Sequence, residues 1–371
     1  MRRHLHSFAL SATGAPRELQ SLHFGHATSG KKVYLQASLH ADEIPGMLVA
    51  HYLRELLGFS DAQDEIDGEI VLVPIANPIG LDQEVLGQAI GRFDLANGMN
   101  FNRGYLHLTP KLIDRLPGKL GPDLAENTRT IRALANQVLE EWQPTNDAGR
   151  LKKTLQRLAA DADIVLDLHC DNQAMMHVYT GTPLLEASRP LAAYLGAHAL
   201  LVCELSGDDP FDEGCMRHWW ELARHFSDFP IAPACLAATV ELRGETDVNA
   251  ADAQADAAAI MAFLRHAGHI AGAPPQCPDA LCEPTPLAGV EPIVATQSGV
   301  LVFSKPLGHK VSVGESIGEV IDPISGTSSA LISSVAGVLF ARVSRRYVQR
   351  GTSVAKIAGA QSFRTGNLLS L

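Results

Sequence analysis

The sequence predicts an α/β domain built on a mixed sheet, followed by a small all-β domain. Up to residue 270, nearly continuous apolar runs typical of strands covered on both faces alternate with helical patterns. Residues 271–287 are rich in proline and alanine, which indicates a linker. From 288 to 371, short strand-like segments are separated by glycine turns. We therefore predict domains at 1–270 and 288–371, because a single core rarely grows beyond about 250 to 300 residues.

The elements of the first domain follow from apolar spacing. Strands are predicted at 32–38, 69–75, 163–168, 199–205 and 237–242, and helices at 46–57, 128–142, 151–160 and 250–267. Trp219 and Trp220 are predicted to lie in a further helix that packs on the sheet, with a substrate wall as the alternative. Open α/β sheets bind ligands outside the carboxyl ends of their strands. Polar residues at strand ends are therefore the first candidates for function.

The second domain contains a weak internal repeat. The segment 298–303 (Ser-Gly-Val-Leu-Val-Phe) is echoed by 336–341 (Ala-Gly-Val-Leu-Phe-Ala), and 313–317 is echoed by 350–354. The two similar offsets predict two β-hairpin layers folded into a small sandwich or barrel. This pattern resembles a biotinyl/lipoyl-type barrel sandwich. The carrier variants of that fold present a lysine in a turn, but the corresponding turn at 323–326 has none, so a carrier function is not expected.

Composition limits the partners and the compartment. The net charge is −11 and no run of lysine or arginine exceeds two residues, so we expect no nucleic-acid partner. No signal-peptide pattern and no stretch of about 18 apolar residues occurs, so we expect a cytoplasmic protein with no membrane partner. The six cysteines form no C-x-x-C pair, which predicts reduced thiols. A homo-oligomer is compatible with this composition.

A candidate metal site is spread over two strand ends. His40 and Glu43 form an H-x-x-E pair after the first predicted strand, and His169 follows the third. An isolated pair of this kind is commonly a loop histidine beside a solvated glutamate, but two histidines, a glutamate and a water are a recurrent catalytic zinc set. Asp167 either orients the His169 imidazole or merely ends the strand. Other conceivable ligands that lack the strand-end spacing are His177, His198, His218 and Cys170.

Other charged residues suggest acid–base and substrate-binding roles. Glu241 closes the apolar run 237–240 and is preferred over Glu245 as general base, the alternative being a simple ion pair with a neighbour. In the loop 99–103, the Asn102 amide and the Arg103 guanidinium are suited to hold a substrate carboxylate. Arg92 is a candidate to stabilise a developing oxyanion.

The ordered set of motifs resembles the succinylglutamate desuccinylase/aspartoacylase family, a branch of the zinc carboxypeptidase-like fold. The motifs are His40-x-x-Glu43, Asn77-Pro78, Asn102-Arg103, Asp167-Leu168-His169 and Glu241. The resemblance implies one zinc ion per chain, held by the two histidines and Glu43, with Glu241 taking a proton from the zinc-bound water. It also implies that Arg92 stabilises the oxyanion and that Asn102 and Arg103 grip the substrate carboxylate. The Asn-Phe-Asn-Arg loop and the β tail look most like the broader bacterial branch of the family.

The expected function is therefore hydrolysis of the amide bond of an N-acyl amino acid or a related small carboxylate-bearing amide. Two other functions stay open. One is a metallocarboxypeptidase that trims peptides, although the added β domain is expected to narrow the cleft toward small substrates. The other is a non-catalytic protein that binds amino-acid derivatives, which the presence of Glu241 disfavours.

Overall fold

Strands and helices alternate in the first part of the computed structural model, which describes residues 1–11 and 13–369. The strands are β1 (Arg2–Leu10), β2 (Pro16–Gly25), β3 (Lys32–Ala37), β4 (Glu69–Val73), β5 (Glu84–Val85), β6 (Gln88–Ala89), β7 (Ile164–Asp171), β8 (Gln173–Ala174), β9 (His177–Gly181), β10 (Ala199–Cys203), β11 (Leu236–Gly244) and β12 (Pro284–Pro286). The α-helices are α1 (Pro45–Ala62), α2 (Pro78–Leu81), α3 (Thr109–Ile113), α4 (Leu124–Glu141), α5 (Asp147–Ala159), α6 (Leu185–Tyr194), α7 (Phe211–His225) and α8 (Ala250–His266).

Nine of these strands form one sheet in the order β1-β2-β4-β3-β7-β11-β9-β10-β12. The neighbours β4, β3, β7 and β11 run parallel, whereas β9 is antiparallel to β11. The central strands are buried on both faces, which explains their continuous apolar sequences. The predicted mixed α/β architecture is thus confirmed.

Helices cover both faces of this sheet. On one face α1 packs with α8, and Gly46 of α1 lies so close to β7 that a Cβ there would be 2.9 Å from the Leu168 carbonyl oxygen. On the other face lies α7, whose Trp219 and Trp220 are 1% and 5% exposed, so both pack in the core as the sequence predicted. Within residues 1–11 and 13–369, no helix is long and apolar enough to cross a membrane.

Two strands extend further than their sequences predicted. The predicted strands end at residues 168 and 242, but β7 runs to Asp171 and β11 to Gly244. His169, predicted to follow its strand, therefore lies inside β7, while Glu241 lies inside β11 as the predicted bounds imply. Parallel pairing sets these two residues opposite each other. Beyond Glu241 the register shifts, and Arg243 has a φ of 65°.

Two other segments differ from expectation. No strand is predicted from the sequence before residue 32, yet β1 and β2 form an antiparallel hairpin that pairs with β4. Most of β1 is exposed, so it lacks the apolar alternation by which a half-buried strand is recognised. Within the predicted linker at 271–287, the segment Pro284–Pro286 forms β12 on the edge of the large sheet, a position that tolerates proline.

The C-terminal domain consists of two antiparallel sheets around a shared apolar core. Its strands are β13 (Val290–Val294), β14 (Gly299–Phe303), β15 (Lys310–Val311), β16 (Ser316–Ile321), β17 (Ser328–Ile332), β18 (Gly337–Arg342), β19 (Tyr347–Val348) and β20 (Ser353–Gly359). One sheet has the order β13-β20-β18-β15 and the other β17-β16-β14-β19. The two copies of the sequence repeat fall on β14 and β18, which lie in different sheets.

The two domains are joined by a strand pairing as well as by the chain. The short strand β8, directly after β7, pairs antiparallel with β18 of the C-terminal domain. Around this pairing, Tyr179 and Ala174 of the first domain pack with Phe340 and Ala358 of the second. The C-terminal domain therefore lies against the end of the sheet that carries His169.

Candidate metal centre

The turn that carries His40 and Glu43 is held by hydrogen bonds from neighbouring loops. The Asn77 side chain donates to the Leu39 carbonyl at 2.9 Å, and the Ala41 amide donates to the Gly91 carbonyl at 3.1 Å. Gly91 must be a glycine, because a Cβ would lie 2.1 Å from the Asp42 nitrogen. The turn is therefore held in place by contacts with residues of two other loops.

Three side chains from separate parts of the chain meet at this turn. Oε1 of Glu43 lies 2.8 Å from Nδ1 of His40, and Oε2 lies 2.8 Å from Nδ1 of His169. All three residues are buried, and their potential ligand atoms lie within 4.8 Å of one another. The convergence of His40, Glu43 and His169 is what the sequence analysis predicted. Two imidazole nitrogens and a carboxylate are a donor set that suits zinc.

The outer nitrogens of both imidazoles have their own partners. Nε2 of His169 lies 2.8 Å from Oδ2 of Asp167, whose other oxygen accepts a 2.9 Å hydrogen bond from Gln36. Nε2 of His40 lies 3.0 Å from Oδ1 of Asn100. These contacts leave both Nδ1 atoms directed at the Glu43 carboxylate, and an outer nitrogen held by a polar partner is usual for histidines that bind a metal. The contact of Asp167 with His169 is one of the two alternatives predicted from the sequence, whereas the contacts of Asn100 and Gln36 are not predicted from it.

Opposite charges stabilise one another within the buried trio. Burial acts to raise the pKa of Glu43, but the charges of His169 and His40 hold it well below its ordinary value. Burial acts to lower the pKa of His169, but Asp167 and Glu43 raise it well above its ordinary value. The Glu43 carboxylate is thus ionised and balanced by positive charge. A divalent cation would supply the same balance.

Glu241 lies beside this trio. It pairs with His169 across the parallel strands β11 and β7. Its Oε2 is buried and has no hydrogen-bond partner among residues 1–11 and 13–369. Burial raises the pKa of the Glu241 carboxyl to about 8, and the charge of Glu43 adds to this effect. A carboxylate with an open oxygen and a raised pKa is suited to accept and return a proton.

Arg92 contacts the trio from the side of the solvent. Its guanidinium donates to Oε1 of Glu43 at 3.0 Å, and the side chain is 44% exposed. Arg92 and Glu43 line a small cavity of about 50 Å³, whose other walls include Asp42, Asp171 and Glu245. Among the residues that line this cavity, Arg92 carries the only positive charge.

Asn102 and Arg103, which are predicted to hold a substrate carboxylate, are partly engaged in other hydrogen bonds. Asn102 uses its Oδ1 to accept a hydrogen bond from the Phe211 amide at 2.9 Å, and its Nδ2 lies 3.5 Å from Nε2 of His169. Arg103 donates to the Asn102 carbonyl at 2.6 Å and contacts the Leu369 carbonyl at 3.5 Å. Burial lowers the pKa of Arg103, while nearby Asp212 opposes this. Asn102 is adjacent to the trio, whereas Arg103 also contacts the C-terminal segment.

The remaining ligand candidates lie outside the trio. His177 and His218 are buried, and burial lowers their pKa values to about 4 and about 3. His198 is half-buried after α6, and its backbone amide donates to the Met176 carbonyl. Cys170 donates its backbone amide to Oε2 of Glu43 at 3.0 Å, so it supports the trio through its main chain. All six cysteines are free thiols.

The family of the chain follows from a comparison with known proteins. Residues 29–267 match the model of the succinylglutamate desuccinylase/aspartoacylase catalytic domain. The chain belongs to this family. Members of the succinylglutamate desuccinylase/aspartoacylase family are deacylases, and the matched range contains the trio and Glu241. Among curated proteins no match is found.

Solved structures of this family share the fold over nearly the whole chain. A family protein from Shewanella amazonensis SB2B is 26% identical, with 96% of this chain and 98% of that chain covered and a TM-score of 0.82. A protein from Shewanella frigidimarina NCIMB 400 is 24% identical, with 96% and 97% covered and a TM-score of 0.85. The product-bound ectoine utilization protein EutE (DoeB) from Ruegeria pomeroyi is 15% identical, with 96% and 93% covered and a TM-score of 0.67. The C-terminal β domain is thus within the shared fold.

Proposed function

We propose that this chain is a zinc-dependent hydrolase that cleaves the amide bond of an N-acyl amino acid or a related small amide bearing a carboxylate. The observation that carries the proposal is the buried trio of His40, Glu43 and His169 with the open oxygen of Glu241 beside it. Membership of a deacylase family supports acyl cleavage.

The trio fits a single catalytic zinc ion per chain. Catalytic zinc sites use three protein ligands and keep a further position open, and His₂Glu is one of the common sets. Here the ligand atoms would be Nδ1 of His40, Nδ1 of His169 and the carboxylate of Glu43. When bound, zinc supplies Lewis acidity to the scissile carbonyl and makes a water acidic near neutral pH.

The chain's own residues would handle the proton and the developing charge. Glu241 accepts a proton from the attacking water at Oε2 and passes it to the nitrogen of the leaving amine. The Arg92 guanidinium faces the cavity and stabilises the negative charge on the substrate oxygen. Asp167 keeps the His169 ring in the required orientation. The result is hydrolysis of the amide to an acid and an amine.

The surroundings favour a small substrate. The C-terminal domain, which we assign to the lipoyl-like barrel-sandwich type, packs against the end of the sheet that carries His169. We expect it to narrow the approach to the trio for a long peptide. We assign Asn102 and Arg103 to the substrate carboxylate, because a guanidinium next to an amide can fix its orientation.

The test combines metal analysis with a substrate panel. Purified protein is expected to contain one zinc ion per chain and to hydrolyse N-acetyl or N-succinyl amino acids. His40→Ala should lose both metal and turnover, whereas Glu241→Gln should keep the metal and lose turnover by about 100-fold or more. If His40→Ala keeps both, the mechanism is wrong.

The same panel separates the alternative functions. Cleavage of C-terminal peptides alone would replace the small-amide assignment with a carboxypeptidase. Thermal stabilisation by an acyl amino acid with no product detected by mass spectrometry would instead indicate a binding protein.

A further inference from the structure

A lysine of the C-terminal domain contacts the strand that carries His169. Nζ of Lys356, on β20, donates to Oδ2 of Asp171 at 2.6 Å, although the two residues are 185 positions apart. Asp171 follows His169 by two residues on β7, so both side chains project from the same face of the strand. Asp171 also lines the cavity at the metal centre. The ion pair therefore joins the second domain to the wall of the site.

The fold fixes where Lys356 points. Its neighbours Ala355 and Ile357 are buried in the core of the C-terminal domain, so Lys356 projects from the opposite face of β20. Ala341 on β18 pairs with Lys356 on one side and with Ala174 of β8 on the other. Strand pairing thus connects β20 through β18 to β8, the short strand that follows β7. Lys356 is 36% exposed and Asp171 21%, so the pair is partly shielded from water.

The charges around the general base explain why a cation is needed there. Glu241 pairs with His169 on the strand next to Asp171, and the negative charges of both Glu43 and Asp171 act to raise its pKa. Burial acts to lower the pKa of Lys356, but the charge of Asp171 raises it, with smaller contributions from Tyr179 and Glu241. Lys356 therefore stays protonated beside Asp171.

We infer that Lys356 is a positioning residue for the proposed hydrolysis: it neutralises Asp171 and so keeps the carboxylate of Glu241 in place beside His169. This inference rests on the proposed function. Without Lys356, the charge of Asp171 would repel the neighbouring carboxylate and displace it from the attacking water. The docked C-terminal domain is then required for turnover and not only for stability.

The test is a double-mutant cycle on zinc-loaded full-length protein. Lys356→Met should lower kcat about tenfold or more with a smaller change in KM, because a displacement of about 1 Å can cost about 100-fold. Lys356→Arg should retain most of the activity. Adding Asp171→Asn to Lys356→Met should recover part of kcat, since the uncompensated charge is then gone. The control is Lys305→Met, which breaks the pair with Glu315 inside the same domain and should leave kcat unchanged.

Thermal unfolding of the metal-free variants separates positioning from domain docking. If Lys356 only holds the domains together, the double variant should be no more active than Lys356→Met, and kcat should fall in parallel with Tm. That outcome, or a wild-type kcat in Lys356→Met, would overturn the inference while leaving the proposed function intact. A wild type that cleaves nothing in the substrate panel would instead refute the proposed function, and this inference with it.

Discussion

Nε2 of His169 and Oδ2 of Asp167 are 2.8 Å apart in the buried interior of the sheet. The two residues alternate with Leu168 on β7, so the strand itself places their side chains on one face. Gln36 on the neighbouring β3 donates to the other oxygen of Asp167 and fixes the carboxylate. Nδ1 of His169 is thereby turned toward Glu43. The geometry of the trio thus depends on Asp167, which is not itself one of the three residues.

Asp167→Asn is therefore expected to weaken metal binding. An amide at this position either turns its NH₂ toward Nε2 of His169 or loses the hydrogen bond from Gln36, so the ring is held less firmly. Loss of such a partner typically costs about 10- to 100-fold in metal affinity. Competition with a zinc chelator measures the change. Asp279→Asn, on the exposed segment after α8, is the control and should bind zinc like the wild type.

Arg92→Gln is expected to reduce turnover more than substrate affinity. The guanidinium faces the cavity and contacts Glu43, where negative charge would develop on the substrate oxygen. Removing a group that stabilises an oxyanion costs about 100- to 1,000-fold in kcat. Steady-state kinetics on the best substrate of the panel gives kcat and KM separately. An equal loss in Arg115→Gln, which removes an exposed ion pair with Glu141, would contradict this role.

Lys152 supports the loop that carries Asn102 and Arg103. Its buried Nζ donates to the carbonyls of Asn100 at 2.9 Å and Arg103 at 2.6 Å, and burial lowers its pKa to about 8. Lys152→Met would leave both carbonyls without this donor. Each buried carbonyl left unpaired lowers the free energy of unfolding by about 1 to 3 kcal/mol. We expect a lower Tm together with a higher KM.

The adjacent lysine offers a matched control for this experiment. Lys153 also donates to two backbone carbonyls, those of Glu140 and Trp142, but these lie at the end of α4. Lys153→Met should therefore lower Tm without a change in KM. If both variants raise KM equally, Lys152 has no specific connection to the loop.

The convergence of the trio could be predicted from the sequence because its three residues occupy recognisable positions. His40 and Glu43 share a short turn after a buried strand, and His169 lies on a second strand that is parallel to the first. Parallel neighbours bring the same ends of two strands together, so convergence follows from the fold class. The same logic selected Glu241, which pairs with His169.

The supporting residues could not be predicted in this way. Asn100 lies in a loop without a regular pattern, and its contact with His40 depends on how that loop folds. Lys356 reaches Asp171 only because β8 pairs with β18, a relationship between domains that no local spacing encodes. Sequence periodicity reports which face of an element is buried, but it does not report which distant element covers that face.

A pH dependence of stability is expected from Glu213 at the start of α7. Its Oε1 accepts a hydrogen bond from the Ser206 amide at 2.6 Å, and the residue is only 3% exposed. Burial, together with the charge of Asp212, raises its pKa to about 7. An unfolded glutamate titrates near about 4.3. Between these two values the folded state binds the proton more tightly than the unfolded state, so this contribution to stability is lost as the pH rises.

Glu213→Gln isolates this contribution, because the amide oxygen can still accept from Ser206 while no proton is exchanged. Relative to the wild type, the variant should gain stability between pH 5 and pH 8, by up to about 3 kcal/mol for a shift of this size. Urea unfolding of the metal-free protein at both pH values measures the gain. Glu186→Gln on the exposed surface of α6 should show no such change. A difference between Glu213→Gln and the wild type that is the same at both pH values would show that Glu213 does not titrate in this range.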